Sequence, residues 1–274
     1  LYKGSISITR DSYTVNLGNI ENADIRIGTS AKDETTGTHY AKADSDTTII
    51  DTVDYIGLRK GESFRMVGTL MNRTTGDQVT GEDGNPVMVT KEFTPKDSNG
   101  TVEMEFFLDA SALRGMDVVV FEELYKGGEK LAEHKDINDA SQTIHFPDIA
   151  TQAVDRETDS NLSKADEEIV IVDTVSYENL RVGRKYTVTG ILMDKETKKA
   201  ALDQKGNKIE AQTEFTAETA NGTVEVIFRF DGRGMGGRTL VAFETLERDH
   251  REYAVHKDIG DEAQTIYIPK IGTV

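Results

Sequence analysis

The amino-acid sequence predicts an all-β protein made of two tandem β-sandwich domains, and two patterns support this prediction. Segments such as residues 101–107 and 223–230 alternate apolar and polar side chains, which is the period of a strand with one face in a core. Turn signals rich in glycine, asparagine and aspartate separate the strands at the short spacing of sandwiches, as at residues 75–77, 82–85 and 203–207. The length of 274 residues allows two domains that each bury a core of ordinary size.

An internal repeat with an offset of 122 residues (256 − 134) defines the two domains. Shifting the chain by this offset aligns it with itself without a gap. Asp51-Thr-Val-Asp-Tyr55 falls on Asp173-Thr-Val-Ser-Tyr177, and Val119-Val-Phe-Glu122 falls on Val241-Ala-Phe-Glu244. The duplication therefore provides an internal filter, because a residue with a role in both domains should recur in register.

The offset also sets the predicted boundaries: an N-terminal extension at residues 1–24, a first repeat at 25–148, a second repeat at 149–271 and the start of a third at 272–274. Within the extension, residues 6–24 predict one or two extra strands. Thr273 falls where the offset places the next copy of Thr151, so we expect the parent protein to be a longer tandem array.

Five segments of the first repeat carry apolar residues at every second position, and each has an equivalent in the second repeat. In chain order they are residues 25–31, 49–55, 101–107, 118–122 and 142–146. Residues 110–114 are the one place where the pattern indicates a helical turn.

Composition excludes several classes of function. A net charge of −17 argues against nucleic acid or an anionic membrane as a partner, and no run approaches the roughly 20 apolar residues of a membrane-spanning helix. The absence of cysteine excludes disulfides and thiolate chemistry.

The chain starts at Leu1 and shows no signal peptide, so we expect a fragment of a mature protein. We expect a monomer, with no cofactor and no metal.

Strand parity singles out four polar side chains in each repeat that share a face with apolar residues and therefore point into the core. They are Thr29, Asp51, Glu122 and Gln142 in the first repeat, and Thr151, Asp173, Glu244 and Gln264 in the second. The neighbouring Thr52 and Thr143 have the opposite parity and should face outward. Of the five histidines only His134 and His256 recur in register, each eight residues before its glutamine.

This set of residues can form a covalent crosslink. Two buried carboxyl groups that are close together raise the pKa of one of them, which leaves a neutral acid able to donate a hydrogen bond. Such an acid would polarise the glutamine carbonyl while the histidine takes the threonine proton. Attack of the threonine oxygen on the side-chain amide, with loss of ammonia, would leave an ester between the first and last strands.

The motifs Val-Ala-Phe-Glu at 241–244, Val-Val-Phe-Glu at 119–122, Asp-Thr-Val-x-Tyr, His-x-Asp and Gln-Thr-Ile resemble the VaFE-repeat (Thr–Gln ester-bond) domains of Gram-positive surface adhesins. The resemblance covers roughly residues 25 to 271. It implies immunoglobulin-like or CnaB-like sandwiches that form an extracellular, cell-wall-anchored stalk, with neighbouring repeats as partners and a host ligand bound through another domain. It also implies bonds from Thr29 to Gln142 and from Thr151 to Gln264. Asp51, Glu122 and His134 would promote the first bond, and Asp173, Glu244 and His256 the second.

A lysine–asparagine isopeptide bond is a neighbouring possibility that the repeat disfavours. Such a bond needs a recurring lysine near the first strand and a recurring asparagine near the last. Lys32 instead falls on Val154, and Asn138 falls on Gly260.

Two further classes of function remain as alternatives. A turnover hydrolase would need an exposed, recurring nucleophile, but Ser141 falls on Ala263 and parity buries Thr29. A plain adhesin module could bind a host ligand without crosslinks. No aromatic stripe or acidic metal loop recurs in the two repeats, and tryptophan is absent.

Overall fold

A computed structural model describes residues 5–9, 12–16, 25–81 and 83–270, and it shows two tandem β-sandwich domains, as predicted. In domain 1 the strands are β3 (Arg26–Asp33), β4 (Thr47–Ile56), β5 (Phe64–Asn72), β6 (Met88–Phe93), β7 (Gly100–Leu108), β8 (Asp117–Lys126), β9 (Glu129–His134) and β10 (Thr143–His145). In domain 2 they are β11 (Asp148–Asp155), β12 (Ile169–Glu178), β13 (Lys185–Asp194), β14 (Lys199–Ala200), β15 (Glu210–Thr216), β16 (Gly222–Phe230), β17 (Arg238–Arg248), β18 (Arg251–His256) and β19 (Thr265–Ile268).

Each domain consists of two antiparallel sheets. In domain 1 the first sheet has the order β3-β4-β7, and the second has the order β10-β8-β5-β6 with β9 also paired to β8. Domain 2 repeats this arrangement as β11-β12-β16 and β14-β13-β17-β18, with β15 paired to β13 and β19 to β17. The predicted offset therefore holds for strand pairing as well as for sequence.

The cores form where the alternating strands predict them. The inward positions of β4 are buried while the alternate positions are half-buried or exposed, and β12 has the same pattern. Gly68 is a special position, because a Cβ atom there would lie 2.6 Å from the ring of Phe106, which belongs to the opposite sheet. A Cβ atom at Gly190 would lie equally close, at 2.6 Å, to the ring of Phe228. Because both positions lack a side chain, each phenylalanine ring packs directly against the backbone of the second sheet.

The strands predicted outside the repeat form a hairpin of β1 (Ser5–Thr9) and β2 (Ser12–Asn16), paired from Ser5↔Asn16 to Thr9↔Ser12. The rest of the predicted extension, residues 1–4, 10–11 and 17–24, and the start of the third copy at 272–274 lie outside the described residues.

The predicted helical turn is a 3-10 turn at Ser111–Leu113. Among the described residues, no helix is long and apolar enough to span a membrane.

One parity prediction was wrong. Thr52 lies on the half-buried outer face of β4, as expected, but Thr143 is buried, and so is its equivalent Thr265. The loop before β10 turns back over this position, and the Thr143 hydroxyl donates a hydrogen bond of 2.7 Å to the Asp139 carbonyl. Parity decides which sheet face a residue occupies, but it does not show that a loop covers that face.

The domains contact each other through two surfaces, which we call the tail face of domain 1 and the head face of domain 2. The tail face consists of Tyr40, Lys42, Ala43 and Pro147, and the head face of Glu252, Tyr253, Ala254 and Val255. Lys42 Nζ lies 2.7 Å from the Glu252 carboxylate, and Tyr40 packs against the core of domain 2. Ala43 and Pro147 border a narrow crevice together with residues 253–255.

Candidate crosslink site

The first sheet supplies the threonine and the aspartate. In the β3–β4 register Thr29 is opposite Val53 and Ala31 is opposite Asp51, so Thr29 and Asp51 are diagonal neighbours on the inward face. Domain 2 places Thr151 and Asp173 in the same relation through β11 and β12.

The second sheet supplies the glutamate, the histidine and the glutamine along one edge of β8. Strands β9 and β10 share this edge end to end. His134 lies opposite Glu122, and the Val120 amide donates a hydrogen bond of 3.2 Å to the Gln142 carbonyl. The predicted groups of the second sheet therefore lie within two residues of each other along one strand edge.

The same residues of domain 2 line the equivalent edge of β17. His256 lies opposite Glu244. The Ala242 amide donates a hydrogen bond of 3.1 Å to the Gln264 carbonyl.

Backbone hydrogen bonds hold the first strand against the segment that carries the glutamine. The Ala31 amide donates to the Ser141 carbonyl at 2.9 Å, and the Ala153 amide donates to the Ala263 carbonyl at 3.0 Å. Because each acceptor directly precedes a glutamine and each donor lies two residues after a threonine, the threonine and glutamine side chains face each other between the sheets.

In domain 2 the side chains themselves are in contact. Gln264 Nε2 contacts Thr151 Oγ1. Glu244 Oε2 accepts hydrogen bonds from Thr151 Oγ1 at 3.2 Å and from Gln264 Nε2 at 2.5 Å. One carboxyl oxygen therefore contacts both groups that would react.

In domain 1 the same four side chains converge, because Glu122 and Gln142 lie close enough to lower the pKa of Asp51 and Thr29 close enough to lower that of Glu122. Thr29 Oγ1, both carboxyl oxygens of Asp51 and of Glu122, and both amide atoms of Gln142 are buried with no hydrogen-bond partner among the described residues. Buried polar groups are nearly always satisfied in folded proteins, because each unsatisfied one costs about 1–3 kcal/mol. Such a concentration of unsatisfied groups is unusual for a core that serves packing alone.

Burial dominates the electrostatics of both carboxyl pairs. It raises the pKa of Asp51 to about 6, and burial together with the negative charge of Asp51 raises the pKa of Glu122 to about 11. In domain 2 the same causes raise the pKa of Asp173 to about 6 and that of Glu244 to about 10. At neutral pH each pair therefore holds one proton, with the glutamate neutral and the aspartate ionised. The rings of Phe106 and Phe228 over Gly68 and Gly190, the glycines paired with the glutamates, help to exclude water.

The histidines lie at the edge of the site and are only partly buried. His134 Nε2 lies 2.7 Å from Asp139 Oδ2, and His256 Nε2 lies 2.9 Å from Asp261 Oδ2. His256 Nδ1 is 3.4 Å from the Ile149 carbonyl oxygen. Neither histidine hydrogen-bonds its threonine in this arrangement. Each nevertheless lowers the pKa of the buried aspartate of its domain electrostatically.

Asp139 and Asp261 are site residues that the sequence reasoning did not identify. Both were visible to the repeat filter, because they recur at the offset of 122 and each follows its histidine by five residues. They lie in a loop, so strand parity could not select them. Burial works to raise the pKa of Asp139, but hydrogen bonds from Ser141 and His134 lower it. The aspartate thereby remains an anion that orients the imidazole.

Comparison with known proteins identifies the family. A sequence model of the T-Q ester bond containing domain matches the chain twice, at residues 25–146 and 147–268. The chain belongs to this family. The resemblance to Thr–Gln ester-bond domains, inferred from the VaFE and associated motifs, is therefore confirmed. No curated protein shows significant similarity to the chain.

Solved structures that resemble the two T-Q ester bond domains do so weakly. An adhesin from Mobiluncus mulieris, described as containing intramolecular disulfide, isopeptide and ester bond cross-links, aligns over 81% of this chain and 80% of its own, with 16% identity and a TM-score of 0.39. The C-terminal domain of the AgI/II polypeptide BspA from Streptococcus agalactiae aligns over 83% and 96%, with 8% identity and a TM-score of 0.39.

Proposed function

We propose that each domain joins its own first and last strands through an ester, from Thr29 to Gln142 in domain 1 and from Thr151 to Gln264 in domain 2. The reaction occurs once per domain, releases ammonia, and makes the protein its own substrate rather than a turnover enzyme. The observation that carries the proposal is the convergence, in both repeats, of a threonine, a glutamine and a proton-sharing carboxyl pair between the two sheets.

The contacts of domain 2 suggest how the proton moves. Thr151 Oγ1 attacks the side-chain carbonyl carbon of Gln264, and its proton passes to the carboxyl pair through Glu244 Oε2, which accepts its hydrogen bond at 3.2 Å. The pair returns one proton to Gln264 Nε2, which contacts the same oxygen at 2.5 Å. The O–H and C–N bonds break, a C–O bond and an N–H bond form, and ammonia leaves.

The histidine and its aspartate support this exchange from the edge of the site. With Nε2 held by Asp261, His256 lies close enough to Asp173 to lower the pKa of that aspartate electrostatically, against the rise that burial causes. An ionised Asp173 keeps the pair ready to accept the threonine proton. His256 accordingly acts as an electrostatic and positioning group in this proposal, whereas the sequence alone suggested a direct base.

The reaction also removes the cost of the buried site. It consumes the threonine O–H and the glutamine NH2, two groups that are hard to satisfy between two apolar sheets. The product ester has only acceptor oxygens, and the neutral glutamate can donate to one of them. The fold therefore favours the crosslinked form over the unreacted one.

We further propose that the two domains are a stalk segment of an extracellular surface adhesin, anchored to a Gram-positive cell wall, with neighbouring repeats as partners and a host ligand bound elsewhere in the parent. Family membership and the tandem arrangement support this. Extracellular domains are commonly stapled by disulfides, and in a chain without cysteine the ester would take that role.

The intact mass of the denatured protein tests the crosslinks. A deficit of two ammonia molecules relative to the sequence mass is expected. A deficit of one would restrict the reaction to a single domain. The full sequence mass would refute the proposal and leave two plain sandwich domains that bind a ligand.

A further inference from the structure

The joint between the two domains is built from the tail face of domain 1 and the head face of domain 2. It combines an ion pair, Lys42 with Glu252, and apolar contacts made by Tyr40, Ala43 and Pro147. Arg114 Nη1 also donates a hydrogen bond of 3.3 Å to the Val255 carbonyl, a contact that the offset does not repeat because Gly236 takes the place of Arg114. Ala43 and Pro147 are buried where domain 2 covers them.

Domain 2 carries the same tail face at the offset of 122 residues: Leu162, Lys164, Ala165 and Pro269. Three of the four residues are identical to their equivalents in domain 1, and Leu162 replaces the apolar ring of Tyr40 by an apolar side chain. In domain 2 the positions are exposed: Leu162 by 51%, with Ala165 and Pro269 also open to solvent. They surround a shallow, mostly apolar depression that also includes Thr158 and Ser163.

We propose that this tail face of domain 2 docks the head face of a further domain of the same family. The docked domain has an acidic residue at the position of Glu252, which pairs with Lys164. It also has an apolar pair at the positions of Tyr253 and Ala254, which covers Leu162 and Pro269. The joint described above, within the same chain, shows how such faces fit together.

Charge selects this occupant over a second copy of the present chain. The head-face positions of domain 1 are Lys130, Leu131, Ala132 and Glu133, so end-to-end stacking of two copies would place Lys130 against Lys164. Domain 2's own head face is already covered by domain 1. Lys164 at present contacts Glu157, but both side chains are 65% exposed, and pairs of that kind contribute little. Lys164 can therefore exchange this partner for a less exposed one, as in the pair of Lys42 with Glu252, where both side chains are 33% exposed.

This inference rests on the proposed partnership between neighbouring repeats, but it does not depend on the crosslinks. The test extends the chain by placing a second copy of residues 149–270 directly after Lys270, which preserves the 122-residue register. The appended copy carries Lys164→Arg, so that only the Lys164 of domain 2 is measured. Lysine reactivity toward an acetylating reagent is measured by mass spectrometry, and intact mass reports the crosslinks separately in each sample.

In the two-domain protein Lys164 should react faster than Lys42, whose side chain is 33% exposed against 65% for Lys164. In the extended protein the reactivity of Lys164 should fall to that of Lys42. Glu252→Lys in the appended copy alone should restore fast reaction at Lys164 and leave Lys42 unchanged. Leu162→Asp, an exposed change that the fold tolerates, should do the same.

Three outcomes would overturn the proposal. Lys164 could remain as reactive in the extended protein as in the two-domain protein. Its protection could persist when the appended copy carries Glu252→Lys. Sedimentation could also show that the two-domain protein dimerises with Lys164 protected, which would make a second copy the occupant.

Discussion

Replacing Thr151 by valine isolates the contribution of one ester. Valine keeps the β-branched shape of threonine but removes the oxygen in contact with Gln264 Nε2, so the second domain should fold without its crosslink. The bond would otherwise close a loop of 113 residues (264 − 151). By the chain-entropy relation used for disulfides, a loop of this length stabilises a domain by about 4–5 kcal/mol.

That free energy predicts a large thermal shift. For a domain of this size each kcal/mol changes the melting temperature by about 3–6 °C, so the second domain should melt roughly 12–30 °C lower in the variant. Scanning calorimetry should resolve this as a separate, lower transition, while the first domain provides an unchanged internal reference. Intact mass should show the loss of one ammonia molecule instead of two.

Thr151→Ser is the matched control, because serine retains the hydroxyl and should still lose both ammonia molecules. A Thr151→Val protein that still loses two ammonia molecules would show that another oxygen attacks Gln264. A variant that loses one ammonia molecule but melts at the wild-type temperature would contradict the stability argument and leave the chemistry standing.

Three further predictions concern domain 2. Asp261→Asn should slow ester formation on the order of 10²-fold and shift its pH dependence, because His256 loses its anionic partner; an unchanged time course of ammonia loss would rule out a positioning role. Glu244→Gln should give a folded domain without its ester, since glutamine cannot pass the Thr151 proton to the leaving nitrogen, and a mass deficit of two ammonia molecules would contradict this. Burial raises the folded pKa of Asp173 to about 6 even though a hydrogen bond from Thr151 lowers it, so in the Thr151→Val protein the folded state binds this proton more tightly than the unfolded state by at least that margin. Stability should then fall by about 3 kcal/mol as pH rises from about 4 to 6, relative to the same protein with Asp173→Asn, and a rise in urea midpoint over that range would have the wrong sign.

The sequence was sufficient for the fold and for the burial of most candidate site residues, because both depend on the same periodicity. Alternation placed Asp51, Glu122 and Gln142 on the core face, and all three are fully buried. The internal repeat excluded, as candidates for the site, the three histidines that have no equivalent in the other domain. Neither filter needed three-dimensional information, since a strand of period two fixes which face each side chain occupies.

The errors and omissions arise in loops, where no period applies. The loop before β10 buries Thr143 on the face that parity assigned to solvent and brings Asp139 to His134. The alternation of apolar and polar residues also could not predict the contacts at the joint between domains, because Tyr40 and Lys42 are in the connection between β3 and β4. Their recurrence as Leu162 and Lys164 becomes informative only once the structure shows what covers the first pair.

The β10 strand ends close to the point where β11 begins, and this sets the length of chain that carries tension. With both esters formed, a pull along the molecule enters at Thr29, crosses to Gln142, follows the backbone to Thr151 and crosses again to Gln264. The only backbone on that route inside the two domains is the nine-residue link from Gln142 to Thr151 (151 − 142), at most about 30 Å when fully extended. The two 113-residue loops that the esters close lie outside this route, so they do not extend when the molecule is pulled. Lys42 and Glu252 pair across the joint between the domains, and this partly exposed ion pair lies outside both esters, so the joint should separate before either crosslinked domain unfolds.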